Sequence, residues 1–197
     1  MTNIRNTRII TLVLIYLFFF SFTGLSQSKS NEKAKLNTFV KENISSVLNK
    51  IPQNKEQQFG FNNREEFDIA TIGDALQLIH YGDTLNGENY IWRVPILVNR
   101  EYRALLTIYQ DSNGYKIADF GAAVLAKDIQ QKINQNPNRI IYGILRIHSI
   151  SGDFLIVKGD NIDRYIPLTS AIYYISSKGI EVKSYYNLAD IKKLIKL

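Results

Sequence analysis

Apolar side chains recur every three or four positions between Asn31 and Ile51, with lysine, glutamate and asparagine between them. This spacing is that of one face of an α-helix, so we predict an amphipathic helix there. Pro52 cannot continue a helix and ends it. The polar residues from Gln53 to Gln58 predict a linker. The apolar stripe consists of Leu36, Phe39, Val40, Ile44, Val47, Leu48 and Ile51.

Beyond residue 70 the pattern changes to short runs of β-branched and aromatic residues separated by turn residues, which indicates strands. A helical stripe follows from Ala122 to Ile133, and Pro137 closes it. The predicted strands are Ala75–Tyr81, Tyr90–Val98, Tyr102–Gln110 and Tyr115–Phe120, with turns at Gly82-Asp83, Asn86-Gly87, Asn99-Arg100 and Ser112-Asn113-Gly114.

After Pro137 the short runs of β-branched and aromatic residues that indicate strands resume, and a last helical pattern follows them. Asn187 suits the N-cap of that helix, which we predict to run to Leu197, and Asp190 lies three residues on, where the helix dipole favours an acid. The predicted strands are Ile140–Ile150, Phe154–Lys158, Arg164–Pro167 continuing toward Ser170, Ile172–Ile175 and Glu181–Tyr185. The order of elements predicts an α+β fold, with antiparallel sheets and helices packed on them.

Residues 75–135 and 140–197 both give several strands followed by one helix. The match extends to single positions, since LQLIHY (Leu76–Tyr81) resembles ILRIHS (Ile144–Ser149), with Ile-His near the end of both segments. An internal duplication and a coincidence between β-rich segments both explain this. We divide the chain into residues 1–26, an N-terminal helix and linker at 27–58, and two β-rich halves at 59–137 and 138–197, which could form one domain.

The stretch WRVPILVNREYRALLTIY predicts a hairpin that turns at Asn99-Arg100. Pro95 lacks the N–H that a ladder needs, so its strand is expected to be an edge or to carry a bulge. The arginines and Glu101 then read as charged cover for an exposed edge. Strand alternation places Trp92, Val94, Ile96 and Val98 on one face and Arg93, Pro95 and Leu97 on the other, with Glu101 beside Arg103 and Tyr102 beside Ala104.

The first residues have the layout of a secretory signal peptide. Arg5 and Arg8 precede an apolar run from Ile9 to Phe22, and Gly24 and Ser26 suit the small positions that a signal peptidase reads. The run of 14 residues reaches about 21 Å as a helix, which is shorter than a hydrocarbon core of about 30 Å. We therefore predict cleavage after Ser26 and export to the periplasm or beyond, with an uncleaved anchor as the alternative.

The composition limits the chemistry of the chain. There is no cysteine, which excludes disulfides, thiolate metal sites and thiol nucleophiles. Removing the predicted leader leaves 22 basic against 18 acidic residues, a mild surplus that reads as a solubilising surface. No nucleic-acid motif is present, and we expect no nucleic-acid partner and no membrane span after cleavage.

The two histidines, His80 and His148, each close an apolar run. If the two halves superpose, these side chains occupy equivalent positions, flanked by Asp83 and Asp153, and could hold zinc; histidines at strand ends are also commonly structural. Carboxylates that could serve hydrolysis have no spacing that pairs them, namely Asp68, Asp74, Asp83, Glu88, Glu101 and Asp119. We assign no catalytic residue and no cofactor.

Tyrosine is abundant, with 12 residues, and many lie in predicted strands. Tyrosine, tryptophan and arginine together make rigid recognition surfaces, although the same residues also serve cross-strand packing. The candidate binding residues are Trp92, Arg93, Tyr102 and Arg103.

The segments ATIGDALQLIH, WRVPILVNREYRALLTI and GYKIADFGAAVLAKDI resemble small exported bacterial modules of the PepSY-like and peptidase-propeptide kind, over about Ala70 to Ile133. The resemblance implies a noncatalytic role near the envelope and carries over no catalytic residue. The leader ending in Leu25-Ser26-Gln27 is similar to those of exported proteins of the Bacteroidota. No peptidase sequence follows, which puts a propeptide role in doubt.

These observations favour an exported noncatalytic module that binds a protein, peptide or glycan of the envelope or the extracellular space. Two alternatives remain open. One is a hydrolase that uses dispersed carboxylates or the pair His80 and His148, and the other is a stand-alone peptidase inhibitor.

Overall fold

The computed structural model describes residues 31–82, 90–159 and 162–196. The predicted signal peptide, the turn at Asn86-Gly87 and Asp83 lie outside the described residues. The chain divides into two compact units, Met1–Val40 and Lys41–Leu197. Within the described ranges, no helix is long and apolar enough to cross a membrane.

The first helix, α1, covers residues 31–49 and confirms the amphipathic helix expected before Pro52. In the first unit, residues 31–40 belong to this helix, and the stripe positions Leu36 and Val40 are buried. In the second unit, Val47 and Leu48 continue the buried stripe.

The second unit is α+β, as predicted, with eight strands in one sheet among the residues that the structure describes. Both predicted halves contribute strands to this sheet. The strands are β1 Thr71–Ile72, β2 Leu76–His80, β3 Tyr90–Val98, β4 Glu101–Asp111, β5 Gly114–Gly121, β6 Ile141–Ile147, β7 Gly152–Val157 and β8 Arg164–Pro167. The further α-helices are α2 Ala123–Asn134, α3 Thr169–Ser177 and α4 Leu188–Leu194, and short 3₁₀ helices lie at Glu56–Phe59, Arg64–Phe67 and His148–Ile150.

The strand order is β5-β4-β3-β2-β6-β7-β8, and β1 adds a second short partner to β3. Every ladder is antiparallel except the central one, where β2 and β6 run parallel with Leu78 opposite Ile144. These are the two segments whose sequences match, and each half continues outward from its own central strand. The duplication hypothesis is compatible with this arrangement and stays a prediction.

Helices cover opposite faces of the sheet. The α2 residues Ala126 and Ile129 join a core with Leu78, Leu105 and Leu155 on one face. The other face carries α3 and α4, whose buried residues pack with the alternate strand positions of β6 and β7. We refer to these as the α2 face and the opposite face.

Two predicted strands in the C-terminal part are wrong. Ile172–Ile175 lies in α3. Leu168, Ala171 and Ile175 are buried at helical spacing, and this burial outweighs the strand preference of the β-branched and aromatic residues in the segment. Residues 181–185 are irregular, and only Tyr186 forms a bridge, to Tyr165 on β8.

The predicted linker between Gln53 and Gln58 is structured. Glu56 is only 8% exposed and pairs with Arg64 at 3.2 Å, from Oε1 to Nη1. Phe61 packs edge-on against Phe67 with ring centroids 5.1 Å apart and is 1% exposed. Residues 56–67 therefore form a packed segment, which we call the 3₁₀ segment.

The hairpin of β3 and β4 turns at Asn99-Arg100, where both residues have positive φ, as a tight hairpin requires. We expected an edge strand or a bulge. The edge alternative is wrong, because β3 lies inside the sheet, whereas the ladder with β4 does carry a bulge, next to Pro95 at Ile96 and Leu97. Pro95 faces the break between its short partners β1 and β2, so its missing N–H costs no ladder bond there. The arginines of this hairpin are consequently not cover for an exposed edge.

The ladder of β3 and β4 contains a bulge, because Ile96 pairs with Ala104 while the next residue, Leu97, pairs with Tyr102. Arg103 is the extra residue. Ala104 therefore shares the face of Ile96, and the prediction that it lies beside Tyr102 is wrong.

Replacing Asn187 by alanine is expected to lower the free energy of unfolding by about 1 kcal/mol. Asn187 Oδ1 accepts from the Asp190 N–H at 2.8 Å, and the Asp190 carboxylate accepts in return from the Asn187 N–H at 3.2 Å, which confirms the predicted cap. Urea denaturation of the two proteins measures the difference. Replacing exposed Ser149 by alanine serves as the control, and an equal loss in both variants would contradict the capping role.

Candidate functional site

The structure distributes the four predicted binding residues over both faces of the sheet. Trp92 and Arg93 are consecutive strand residues and point to opposite faces. Tyr102 packs against the α2 core, on the face that Arg93 shares. Trp92 is half-buried, and its indole N–H reaches Gln110 Oε1 at 3.4 Å. The four side chains do not form one continuous surface.

Arg103 is held by two carboxylates. Its Nη2 lies 2.9 Å from Glu66 Oε1 in the 3₁₀ segment, and its Nη1 lies 2.9 Å from Glu101 Oε2. The side chains of Arg103 and Glu66 are each 11% exposed. Glu66 also accepts from the backbone and side-chain N–H groups of Asn62, so three hydrogen bonds hold its carboxylate. These contacts give Arg103 a structural role in fixing the 3₁₀ segment to β4.

Arg93 is as deeply buried as Arg103 but lacks a close carboxylate among the described residues. Its Nη1 donates to Thr107 Oγ1 at 2.6 Å, and the nearest recorded acid oxygen is Asp119 Oδ2 at 4.0 Å. The Asp119 side chain is 67% exposed, so water screens its charge. The Nε of Arg93, like that of Arg103, is buried and has no hydrogen-bond acceptor among the described residues. Arg93 is thus a buried cation that the described residues neutralise only in part.

Electrostatics agree with the geometry. Burial lowers the pKa of the Arg93 guanidinium, and the positive charge of Arg146 lowers it further, while Asp119 and Asp153 act in the opposite direction as smaller causes. The pKa of Arg146 is instead raised, first by its hydrogen bonds to Asp153. A desolvated positive charge without a close partner is unfavourable by several kcal/mol, and an anion placed beside it removes that penalty.

Arg146 on β6 and Asp153 on β7 form a bidentate salt bridge. Nε and Nη2 of Arg146 lie 2.8 and 2.9 Å from the two carboxylate oxygens of Asp153, which is 7% exposed. The register of the strands and the alternation of side chains along each strand place this pair on the α2 face of the sheet, together with Arg93 and Thr107. We call Arg93, Thr107, Asp119 and Arg146 the Arg93 site.

The structure brings His80 and His148 into contact. His80 Nδ1 and His148 Nε2 are 2.6 Å apart, and the ring centroids are 4.7 Å apart. His80 ends β2 and is half-buried, whereas His148 opens a 3₁₀ helix and is exposed. Asp153, the carboxylate expected beside them, is held by Arg146, and Asp83 lies outside the described residues.

Sequence reasoning missed Thr107, Arg146 and Glu66 as members of these clusters. One signal was available for Arg146, because it interrupts the apolar run ILRI at a position that alternation directs toward the core. Nothing comparable marks Glu66, whose partner Arg103 lies 37 residues away.

One cavity of about 420 Å³ lies between the end of α2, β8, α3 and residues 182–185. Apolar walls from Ile166, Ile172 and Val182 meet polar groups from Lys132 and Asn136. None of the predicted site residues lines it.

Within the described ranges, no group of three or more His, Asp or Glu side chains is placed to hold a metal ion. A comparison of the chain with protein-family models, curated proteins and solved structures found no match. The resemblance to PepSY-like modules therefore stays a prediction.

Proposed function

We propose that this chain is an exported noncatalytic binding module that recognises a carboxylate group on a protein, peptide or glycan, with Arg93 as the anchoring side chain. The observation that carries the proposal is the contrast between two equally buried arginines. Among the described residues, Arg103 has two carboxylates at 2.9 Å, whereas Arg93 has a hydroxyl at 2.6 Å and an acid no closer than 4.0 Å.

The chemistry of the Arg93 site favours a carboxylate. A guanidinium presents parallel N–H groups that match the two oxygens of a carboxylate, and charge-assisted bonds of this kind are short and strong. Arg146, whose side chain is 29% exposed, lies on the same face, but its charge is already paired with Asp153, so Arg93 is the cation that a ligand would neutralise. Thr107 fixes one edge of the Arg93 guanidinium and so reduces the entropy lost when a ligand binds.

Export supports the choice of partner. The signal-peptide layout and the resemblance to PepSY-like modules both favour a partner in the envelope or outside the cell. Acidic peptides and uronic-acid glycans carry the required carboxylate. Stand-alone peptidase inhibition would be one form of such binding, and it would appear as inhibition of an exported peptidase by the purified protein.

The proposal does not extend to hydrolysis. Among the described residues, His80 and His148 face each other at 2.6 Å, and Asp153 and Glu66 are engaged by arginines. None of these contacts places a free carboxylate beside a histidine.

Titration with a glutamate-rich peptide and with a glucuronate oligosaccharide, followed by NMR shifts of Arg93 and its neighbours, tests the proposal. We expect at least one ligand to shift the Arg93 side-chain resonances. We also expect Arg93→Met to weaken binding about 10- to 100-fold, the value of one or two charge-assisted hydrogen bonds. Arg93→Lys retains the charge but not the planar fork, so it should restore only part of the affinity.

Arg139→Gln is the matched control, because Arg139 is exposed and its loss changes the net charge equally. It should bind like the unmodified protein. Loss of binding in Arg139→Gln to the same degree as in Arg93→Met would show a nonspecific charge effect and overturn the proposal. So would saturable binding whose shifts cluster at Lys132 and Asn136 in the cavity, or no binding to either ligand.

A further inference from the structure

The histidine pair contains no residue of the Arg93 site, although His80 lies beside Arg146 in the ladder of β2 and β6. Its geometry differs from that of an ordinary side-chain contact. The separation of 4.7 Å between ring centroids exceeds the 2.6 Å between the nitrogens by slightly less than the two ring radii. The nitrogens therefore face each other nearly head-on. This is the arrangement of a single N–H···N hydrogen bond, and a metal ion binds both nitrogens once the rings turn so that their lone pairs converge on it.

Both backbones are fixed before any ligand binds. Tyr81, next to His80, donates its N–H to Arg146 O at 2.8 Å and so extends the parallel ladder past the histidine. The carbonyl of His148 accepts from the Ser151 N–H at 3.1 Å, which closes the 3₁₀ turn. Only the two imidazole rings need to adjust, which is the preorganisation that a metal site requires.

The adjustment is small. Metal–nitrogen bonds of about 2.0–2.1 Å at a tetrahedral angle place the two nitrogens roughly 3.3 Å apart, so the rings must separate by about 0.7 Å. His148 is exposed and can turn outward to make this space. Exposure also leaves the remaining coordination positions open to water.

We propose that His80 Nδ1 and His148 Nε2 bind one divalent transition-metal ion as a two-histidine site, with water in the other positions. Imidazole suits copper, nickel and zinc, and the usual order of affinities makes Cu²⁺ the tightest of the three. The metal site shares no side chain with the one proposed for carboxylates, although His80 neighbours Arg146 in the sheet.

Calorimetric titration of the mature protein with CuCl₂ and ZnCl₂ at neutral pH, with EPR of the copper form, tests the site. We expect one Cu²⁺ per chain, nitrogen hyperfine structure from two imidazoles, and weaker binding of Zn²⁺. His80→Gln and His148→Gln should each weaken Cu²⁺ binding at least tenfold, because each leaves a single imidazole. The chain has no other histidine, so the double variant is a clean reference.

His148→Gln changes an exposed side chain, and circular dichroism should show the same fold as the unmodified protein. Equal Cu²⁺ affinity in the unmodified protein and the double variant would overturn the proposal. The absence of copper binding at millimolar concentration, with NMR showing a persistent N–H···N bond between the rings, would overturn it as well and would leave the Arg93 proposal unaffected.

Discussion

Arg103→Met is expected to lower the free energy of unfolding by about 3–5 kcal/mol, the cost of leaving a buried charge without its partner. The charge left behind is Glu66, whose side chain is 11% exposed and whose nearest cation is Arg103 at 2.9 Å. Water cannot replace the guanidinium without opening the 3₁₀ segment. Urea denaturation gives the value directly, and retained slope of the unfolding curve would show that the native state stays compact.

Two further variants separate the contribution of the ion pair to stability from the effect of losing side-chain volume. Adding Glu66→Gln to Arg103→Met removes both charges and should recover part of the loss, so the two substitutions should be strongly non-additive. Arg93→Met changes the same residue type at the same burial but strands no buried carboxylate among the described residues, and its free energy of unfolding should not fall below that of the unmodified protein. Equal losses in Arg93→Met and Arg103→Met would contradict this account of Glu66.

Gly60→Ala is expected to destabilise the protein by about 3 kcal/mol or more, from backbone strain and overlap combined. Gly60 has a φ of +93°, and a Cβ built there would lie 2.1 Å from the carbonyl oxygen of Arg103. That oxygen belongs to β4, and the residues on either side of Arg103, Tyr102 and Ala104, are paired with β3 and limit its movement. Thermal denaturation of the variant should show the loss.

Gly114→Ala is the matched control, because it introduces backbone strain without a steric overlap of the new Cβ. Gly114 has a φ of +110°, and a Cβ there would meet nothing within 4 Å. We expect Gly114→Ala to lower the free energy of unfolding by only about 1–2 kcal/mol, the strain of an L-residue in a left-handed backbone conformation. Equal costs at both glycines would show that the close approach of residue 60 to β4 contributes nothing.

Local signals in the sequence predicted much of the fold. The alternation in Trp92–Val98 gave the bounds of β3 as the structure has them, and Asn187 with Asp190 predicted the cap of α4. Both depend on residues within a few positions of each other. The segment Ile172–Ile175 misled because its residue types favour strands, while the contacts of Ala171 and Ile175 with the opposite face select a helix.

The candidate site was less accessible to such reasoning because its contacts join distant residues. Arg93 meets Thr107 across a hairpin, but what distinguishes it from Arg103 is the presence of Glu66 beside one and not the other. A bulge of one residue at Arg103 also reversed the predicted facing of Ala104. The meeting of His80 and His148 could be proposed only from the similarity of LQLIHY and ILRIHS, since no local pattern encodes parallel pairing.

The parallel pairing of β2 with β6 has a consequence for how the chain acquires its structure. Leu78 and Ile144 are neighbours in the sheet although a long stretch of chain separates them, and closing so large a loop has a high entropic barrier. The hairpin of β3 and β4 can form early from local contacts. The strands β1–β5 and the strands β6–β8, however, are joined in the sheet only by the pairing of β2 with β6. A truncated chain that ends before Ile141 would expose one side of β2 and much of the apolar surface that β6 and β7 contribute, and aggregation rather than a stable half-domain is the expected fate.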